Sequence, residues 1–285
     1  MTPELAPAKI NLCLFLGPRR SADGRHDLVS VMQPLAFGDY VAMEPAAADE
    51  VVCPGVEGPN LAADALAAFR AAAGGAPLRL TIAKRIPVAA GMAGGSADAG
   101  AALRLAARAA DVDDDVLLHR LAEGLGADVP AQVRPGRVLA TGAGERLERL
   151  GPSPAFGVLV LPSRHALATG DVFREADRQG LARDADDLAA RHAAVRAGLG
   201  AGPFGLAADL IVNDLEPAAR ALCQAIDEAL DAVRGAGADR ALVSGSGPTV
   251  LGLFADPEGA ERAAAALAQR DPKPIATVPL TGVTA

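Results

Sequence analysis

From Lys9 to Leu16 the chain alternates between two kinds of position. Ile10, Leu12, Leu14 and Leu16 fall on one face, and Lys9, Asn11, Cys13 and Phe15 on the other. A period of two predicts a strand with an apolar back and a partly polar front. Further strands are predicted at 29–36 and 39–44, with Gly38-Asp39 as the turn between them. Asn60 caps a helix running to about Ala73, and Leu78, Leu80 and Ile82, alternating with Arg79 and Thr81, mark the next strand. A glycine-rich loop over 87–95 leads into an alanine-rich helix from Ser96 to Ala110. A second helix, 113–124, meets stop signals at Gly124 and Gly126. Gly151, Pro152 and Pro154 interrupt the pattern, so a domain boundary is placed there, giving 1–152 and 153–285. The second half reads as a strand (156–162), three helices (171–178, 186–198, 216–234), two strands (240–244, 249–254), a helix (257–269) and a last strand (275–280). That order predicts an α+β fold with helices on one face of an antiparallel sheet.

Composition narrows the picture. Of 285 residues, 51% are apolar, which is enough to fill a core, but only 3% are aromatic, so that core must be built from Ala, Leu and Val. The net charge of −8 and the absence of Trp argue against nucleic acid as a partner, because basic patches and stacking platforms are missing. Cys13, Cys53 and Cys223 are scattered without a CxxC pair, which fits a reducing cytoplasm rather than a disulfide framework. The four histidines form no zinc-binding pattern. No run is apolar enough to span a membrane, and the N-terminus has no signal-peptide character.

The candidate chemistry is concentrated in three places. In IPVAAGMAGGSADAG, 86–100, glycines would let the backbone approach an anion, and the helix that follows offers unpaired N–H groups. The stretch is either a phosphate cradle or a structural turn capped by Ser96. Lys9 and Asn11 point the same way from one strand; the lysine is either a snorkelling surface residue or part of a site. Asp128 in GADVP is a turn aspartate or a reactive carboxylate. A second glycine bend, SGSGPT at 244–249, exceeds what a hairpin requires and either supports a loop or simply turns the chain.

Taken together, PAKINL (7–12), PVAAGMAGGSADA (87–99) and SGSGPT (244–249) resemble the three motifs of the GHMP kinases. ADGRHDL (22–28), GADVP (126–130) and NDLEP (213–217) are similar to the branch that phosphorylates the 2-hydroxyl of a cytidine-diphosphate-linked methylerythritol in the non-mevalonate isoprenoid pathway. The resemblance implies an N-terminal domain like ribosomal protein S5 domain 2, a ferredoxin-like C-terminal domain, and a site in the cleft between them. It implies ATP and Mg²⁺ as cofactors, a small-molecule acceptor, and a cytoplasmic monomer or homodimer. Lys9 and Asp128 match the catalytic pair. Asn11, Arg25, His26, Thr169 and Phe173 match substrate-binding positions. Pro87, Val88, Ala89, Ala90, Gly91, Met92, Ala93, Gly94, Gly95, Ser96 and Ala97 match the ATP loop, with Ser96 as the candidate metal contact. Ser244, Gly245, Ser246 and Gly247 match a supporting loop. This chain departs from the pattern at Ala93, where the family carries glycine, at Ala97, where it carries serine, and at Arg25, where it carries tyrosine. An alanine at 93 is strained if its φ is positive.

Overall fold

In the computed structural model, which describes residues 3–88 and 90–281, two sheets share a continuous interior. The first comprises β1 (Glu4–Arg19), β2 (His26–Pro45), β3 (Glu50–Val52), β4 (Leu78–Ala83), β5 (Val138–Thr141) and β6 (Arg146–Arg149). β1 pairs along β2, and the other edge of β2 takes β4 at one end and β5 at the other. Packed on this sheet are α1 (Leu61–Ala73) and α2 (Gly94–Ala109), and on these helices lie α3 (Asp115–Leu125) and the short α4 (Val129–Val133). The second sheet has the order β10 (Ile275–Thr277), β7 (Gly157–Leu161), β9 (Val250–Phe254), β8 (Arg240–Val243), all antiparallel. α8 (Ala225–Gly235) and α9 (Pro257–Ala266) pack on it, and α5 (Thr169–Gln179), α6 (Ala185–Gly198) and α7 (Glu216–Leu222) complete the chain.

Several elements differ from the sequence reading. No turn forms at Gly38-Asp39: β2 runs unbroken for 20 residues, because β1 is long enough to pair through that point, Gly38 opposite Pro7 and Asp39 opposite Ala6. The helix expected over 216–234 is two helices, broken where Cys223 takes an extended conformation (φ −144°, ψ 94°). α2 begins at Gly94, two residues before Ser96, so Ser96 is not its cap. The short elements β3, β5, β6 and α4 carried too little pattern to be read.

β1 keeps its alternation only to Asn11. Asn11 pairs with Met32 and Cys13 with Val31, so Leu12 is an extra residue in the strand. A bulge of one residue reverses the faces beyond it. Leu14, rather than Cys13, therefore follows Lys9 and Asn11 toward the cleft, and Cys13 is packed in the core, where burial pushes its thiol up to about 12.

Candidate active site

β1 brings Lys9 and Asn11 to the floor of a cleft of about 460 Å³, well within the range of small-molecule sites. Lys9 is only 7% exposed, which excludes the snorkelling reading. Its Nζ donates to Asn11 Oδ1 at 2.9 Å and lies 3.4 Å from Asp128 Oδ2. Asn11 Nδ2 donates to Ser30 Oγ at 2.7 Å, and Ser30 donates onward to the Cys13 carbonyl at 2.6 Å. Each polar group in this relay from Lys9 through Asn11 to Ser30 thus has a partner, which fixes the lysine's position.

Asp128 stands at the N-terminal boundary of α4, but its side chain makes no capping hydrogen bond. It is turned to Lys9 instead, so the cap reading fails on geometry. What brings α4 close is Gly100 in α2: a Cβ there would lie 2.5 Å from the Gln132 carbonyl oxygen. A glycine inside a helix costs about 1 kcal/mol, and here it allows the backbone of α4 to pack directly on α2.

The glycine-rich bend crosses above this pair. The Lys9 amide donates to the Met92 carbonyl at 3.2 Å, tying the loop to β1. Gly91 (φ +69°) lies so close to the second bend that a Cβ would sit 2.1 Å from the Ser244 carbonyl oxygen. Ala93 adopts the left-handed region (φ 56°, ψ 36°) and makes no side-chain cap, so the strain foreseen for an alanine at this position is present. Left-handed backbone costs a non-glycine residue about 1–2 kcal/mol. Ala97 donates its amide to the Ala93 carbonyl at 2.8 Å and buries its methyl in the core. The free donors of the helix end are therefore the amides of Gly94, Gly95 and Ser96, none of which has a hydrogen-bond partner among the described residues. The first turn of α2 carries no acidic side chain to compete for them.

Pro87, Val88, Ala90, Gly91, Met92, Ala93, Gly94, Gly95, Ser96, Thr169, Phe173, Gly245 and Ser246 line the same cleft as Lys9, Asn11 and Asp128. Ala89 lies outside the described residues. Ser244 is fully buried, and its hydroxyl donates to the Gly91 carbonyl at 3.2 Å. Gly247 donates its amide to the Ser244 carbonyl at 2.8 Å. The second bend thus braces the first. His26 is buried behind Phe173, with ring centroids 5.7 Å apart. Its Nδ1 is 2.8 Å from the Gly17 carbonyl and donates to it, while Nε2 is 2.9 Å from an Asp177 carboxylate oxygen but out of line for a hydrogen bond. Arg25 is exposed, its amide bonded to Asp23 at 3.0 Å. Thr169 Oγ1 sits 3.1 Å from Ser246 Oγ.

Sequence reading missed Ser30, and it missed the wall formed by Leu14, Met32, Cys53, Val56, Pro59 and Leu61. It also missed Lys84, Asp39 and Asp98, a charged cluster beneath the loop. A signal existed for Asp98, the one acidic residue among the glycines and alanines that open α2.

Known proteins resemble this chain along nearly its whole length. Residues 60–136 match the GHMP kinases N terminal domain, and residues 192–273 match the GHMP kinases C terminal domain. Over 271 residues the chain is 44% identical to the 4-diphosphocytidyl-2-C-methyl-D-erythritol kinase of Anaeromyxobacter sp. (strain K), covering 92% of this chain and 83% of that one. It is 41% identical to the enzyme of the same name from Streptomyces coelicolor, covering 92% and 90%. The crystal structure of a 4-(cytidine 5'-diphospho)-2C-methyl-D-erythritol kinase superposes with a TM-score of 0.78 at 33% identity, over 99% of this chain and all of that one. A homoserine kinase from Cytophaga hutchinsonii shares the fold, with a TM-score of 0.70 at 17% identity over 97% of this chain and 93% of that one. With both GHMP halves in place and this identity sustained along nearly the whole length, the chain belongs to the 4-diphosphocytidyl-2-C-methyl-D-erythritol kinase family of phosphotransferases.

Proposed function

We propose that this chain moves the γ-phosphoryl group of ATP to the 2-hydroxyl of 4-diphosphocytidyl-2-C-methyl-D-erythritol, a step of the non-mevalonate isoprenoid route. The observation that carries the reading is the Lys9–Asp128 pair, 3.4 Å apart in a cleft roofed by free helix-end amides. Phosphoryl transfer asks the protein for alignment and charge stabilisation rather than covalent chemistry. Asp128 accepts the hydrogen bond of the acceptor hydroxyl and takes its proton as the new O–P bond forms. Lys9, held by Asn11, faces the transferring group and offsets its negative charge. The amides of Gly94, Gly95 and Ser96, at the positive end of α2, hold the phosphates. ADP leaves with the electron pair of the broken bond.

Nucleotide-bound Mg²⁺ takes most of its ligands from phosphates and water, so one protein oxygen suffices. The Ser96 hydroxyl is half-buried and has no hydrogen bond among the described residues, and it fits that demand. When bound, the ion neutralises phosphate charge. Phe173 offers a ring face to the acceptor's cytosine, with His26 behind it and the Arg25 guanidinium free to stack or to pair with the diphosphate. Thr169 completes that side. The cleft draws on both sides of the boundary placed at 152/153, with Lys9 and Asp128 from one half and Thr169, Phe173 and Ser246 from the other.

The test is a transfer assay with ATP that offers the cytidyl acceptor beside homoserine and mevalonate. The cytidyl compound alone should yield product above background. Lys9→Ala and Asp128→Ala should each lower kcat by about 10²–10⁴ with an unchanged circular dichroism spectrum. Near-normal turnover in either variant removes the assignment.

A further inference from the structure

Beneath the glycine-rich bend lies a cluster of charges that the transfer step does not use. Asp39, in the middle of β2, is fully buried. A buried carboxylate is costly unless its oxygens are bonded, and this one is heavily bonded. Its Oδ1 accepts from the amides of Arg85 and Ile86, the latter at 2.8 Å, and its Oδ2 accepts from Lys84 Nζ. The same ammonium donates to Asp98 Oδ2 at 2.8 Å. Asp98 lies one turn into α2 and is only 3% exposed. Its other oxygen, Oδ1, has no partner among the described residues. Lys84 and Asp98 both reach the wall of the cleft, whereas Asp39 does not.

The cluster spans the bend from both ends. Residues 84–86, where the chain leaves β4, are held by Asp39. The opening turns of α2 are held by Lys84 through Asp98. The intervening segment, 87–93, makes no such bonds to Asp39 among the described residues. Apolar residues of similar volume would give the interior as much stability or more, and an orphaned buried oxygen is a defect that stability alone does not account for. What charged groups supply and apolar ones do not is directional bonding, which sets spacing.

We propose that Asp39 is a positioning residue for the nucleotide-phosphate site: through Lys84 and Asp98 it fixes the separation between the end of β4 and the start of α2, and thereby the aim of the amides of Gly94, Gly95 and Ser96. This inference rests on the reading of that helix end as the place where ATP phosphates sit. Asp49 provides the contrast. It lies near the opposite end of β4, where it accepts from the Leu78 amide at 2.9 Å and from Arg70, far from the bend. It serves the fold alone.

The experiment uses the full chain, with the KM of ATP and of the cytidyl acceptor measured in separate series and ATP affinity measured by calorimetry with a non-hydrolysable analogue. Asp39→Asn keeps the shape and can still accept from the two amides, but it loses the charge that grips Lys84. It should raise the ATP KM and the analogue Kd about tenfold while the acceptor KM stays within about threefold. Asp49→Asn should lower the melting temperature and leave both KM values unchanged. If Asp39→Asn fails to fold, Asp98→Asn carries the test, with about a threefold rise in the ATP KM alone. The inference is overturned if the melting temperature falls while the ATP KM holds, or if both KM values rise together. A wild-type chain that binds no analogue and transfers no phosphate overturns the functional reading itself, an outcome visible before any variant is made.

Discussion

The bend at 87–95 and the bend at 244–248 are both rich in glycine and differ in how they are tied down. In the second, the Ser244 amide donates to Thr249 at 2.9 Å and the Gly247 amide to Ser244 at 2.8 Å. Asn213 closes it from outside, its Nδ2 donating to the carbonyls of Val243 at 2.9 Å and Gly245 at 2.7 Å. In the first, the helix-end amides of Gly94, Gly95 and Ser96, residues that line the cleft, have no partners among the described residues. The second bend is tied by these bonds although the amides of Gly245 and Ser246 have no partner among the described residues, whereas the open donors of the first stand at the start of a helix. Both bends line the cleft; the one that opens α2 offers a helix end to it, and the other, bonded to Gly91 through Ser244, is its brace. Composition alone cannot separate the two roles; the helix that opens after one bend and the Asn213 bonds that close the other do.

The largest test of this division is the point where the bends touch. Gly91→Ala places a methyl against the Ser244 carbonyl and forces a side chain into a left-handed backbone. It should cost about 3 kcal/mol by denaturant melting and raise the ATP KM more than the acceptor KM. If both bends were independent, the effect on ATP would not reach beyond the stability loss. Next is Asn213→Ala, which strips the brace of two donors and leaves buried carbonyls unpaired. A loss of about 2 kcal/mol is expected, with a smaller rise in the ATP KM, because the damage reaches the first bend only through Gly91. An ATP effect as large as that of Gly91→Ala would mean that the second bend touches the nucleotide itself. The smallest effect has the opposite sign. Ala93→Gly relieves left-handed strain at the cost of some backbone entropy, and should raise stability by up to about 1 kcal/mol with ATP binding retained. A loss of stability there would show that the alanine methyl is a useful contact.

Much of the site was legible in the order of residues, and the reasons for the exceptions are physical. Lys9 and Asn11 share a face because strand period is local, so their alternation could be read directly. The extra residue at Leu12 could not, since a bulge is set by how β1 matches β2. Gly38-Asp39 has the chemistry of a turn, and only the length of β1 overrides it. That one misreading hid the buried Asp39 and with it the clamp under the bend. Ser96 looked like a cap because serine favours caps, yet α2 begins two residues earlier from an alanine in a conformation alanine rarely takes. Asp128 was ambiguous as a lone aspartate before Pro130. Its partner lies more than a hundred residues away, and only the fold brings the two together.

β1 is buried along most of its length and packs against β2, α2 and α6. Leu14 donates its amide to Val212 and accepts from Asp214, and the Leu16 amide donates to Asp214 at 3.0 Å across 198 residues of chain. During synthesis, therefore, this end of the strand must wait for partners made about 200 residues later. Leu14 and Leu16, which pack with residues of the second half, lack those neighbours until then, which makes this end of the strand a place where a chaperone has something to shield and where a truncated nascent chain would be prone to aggregate.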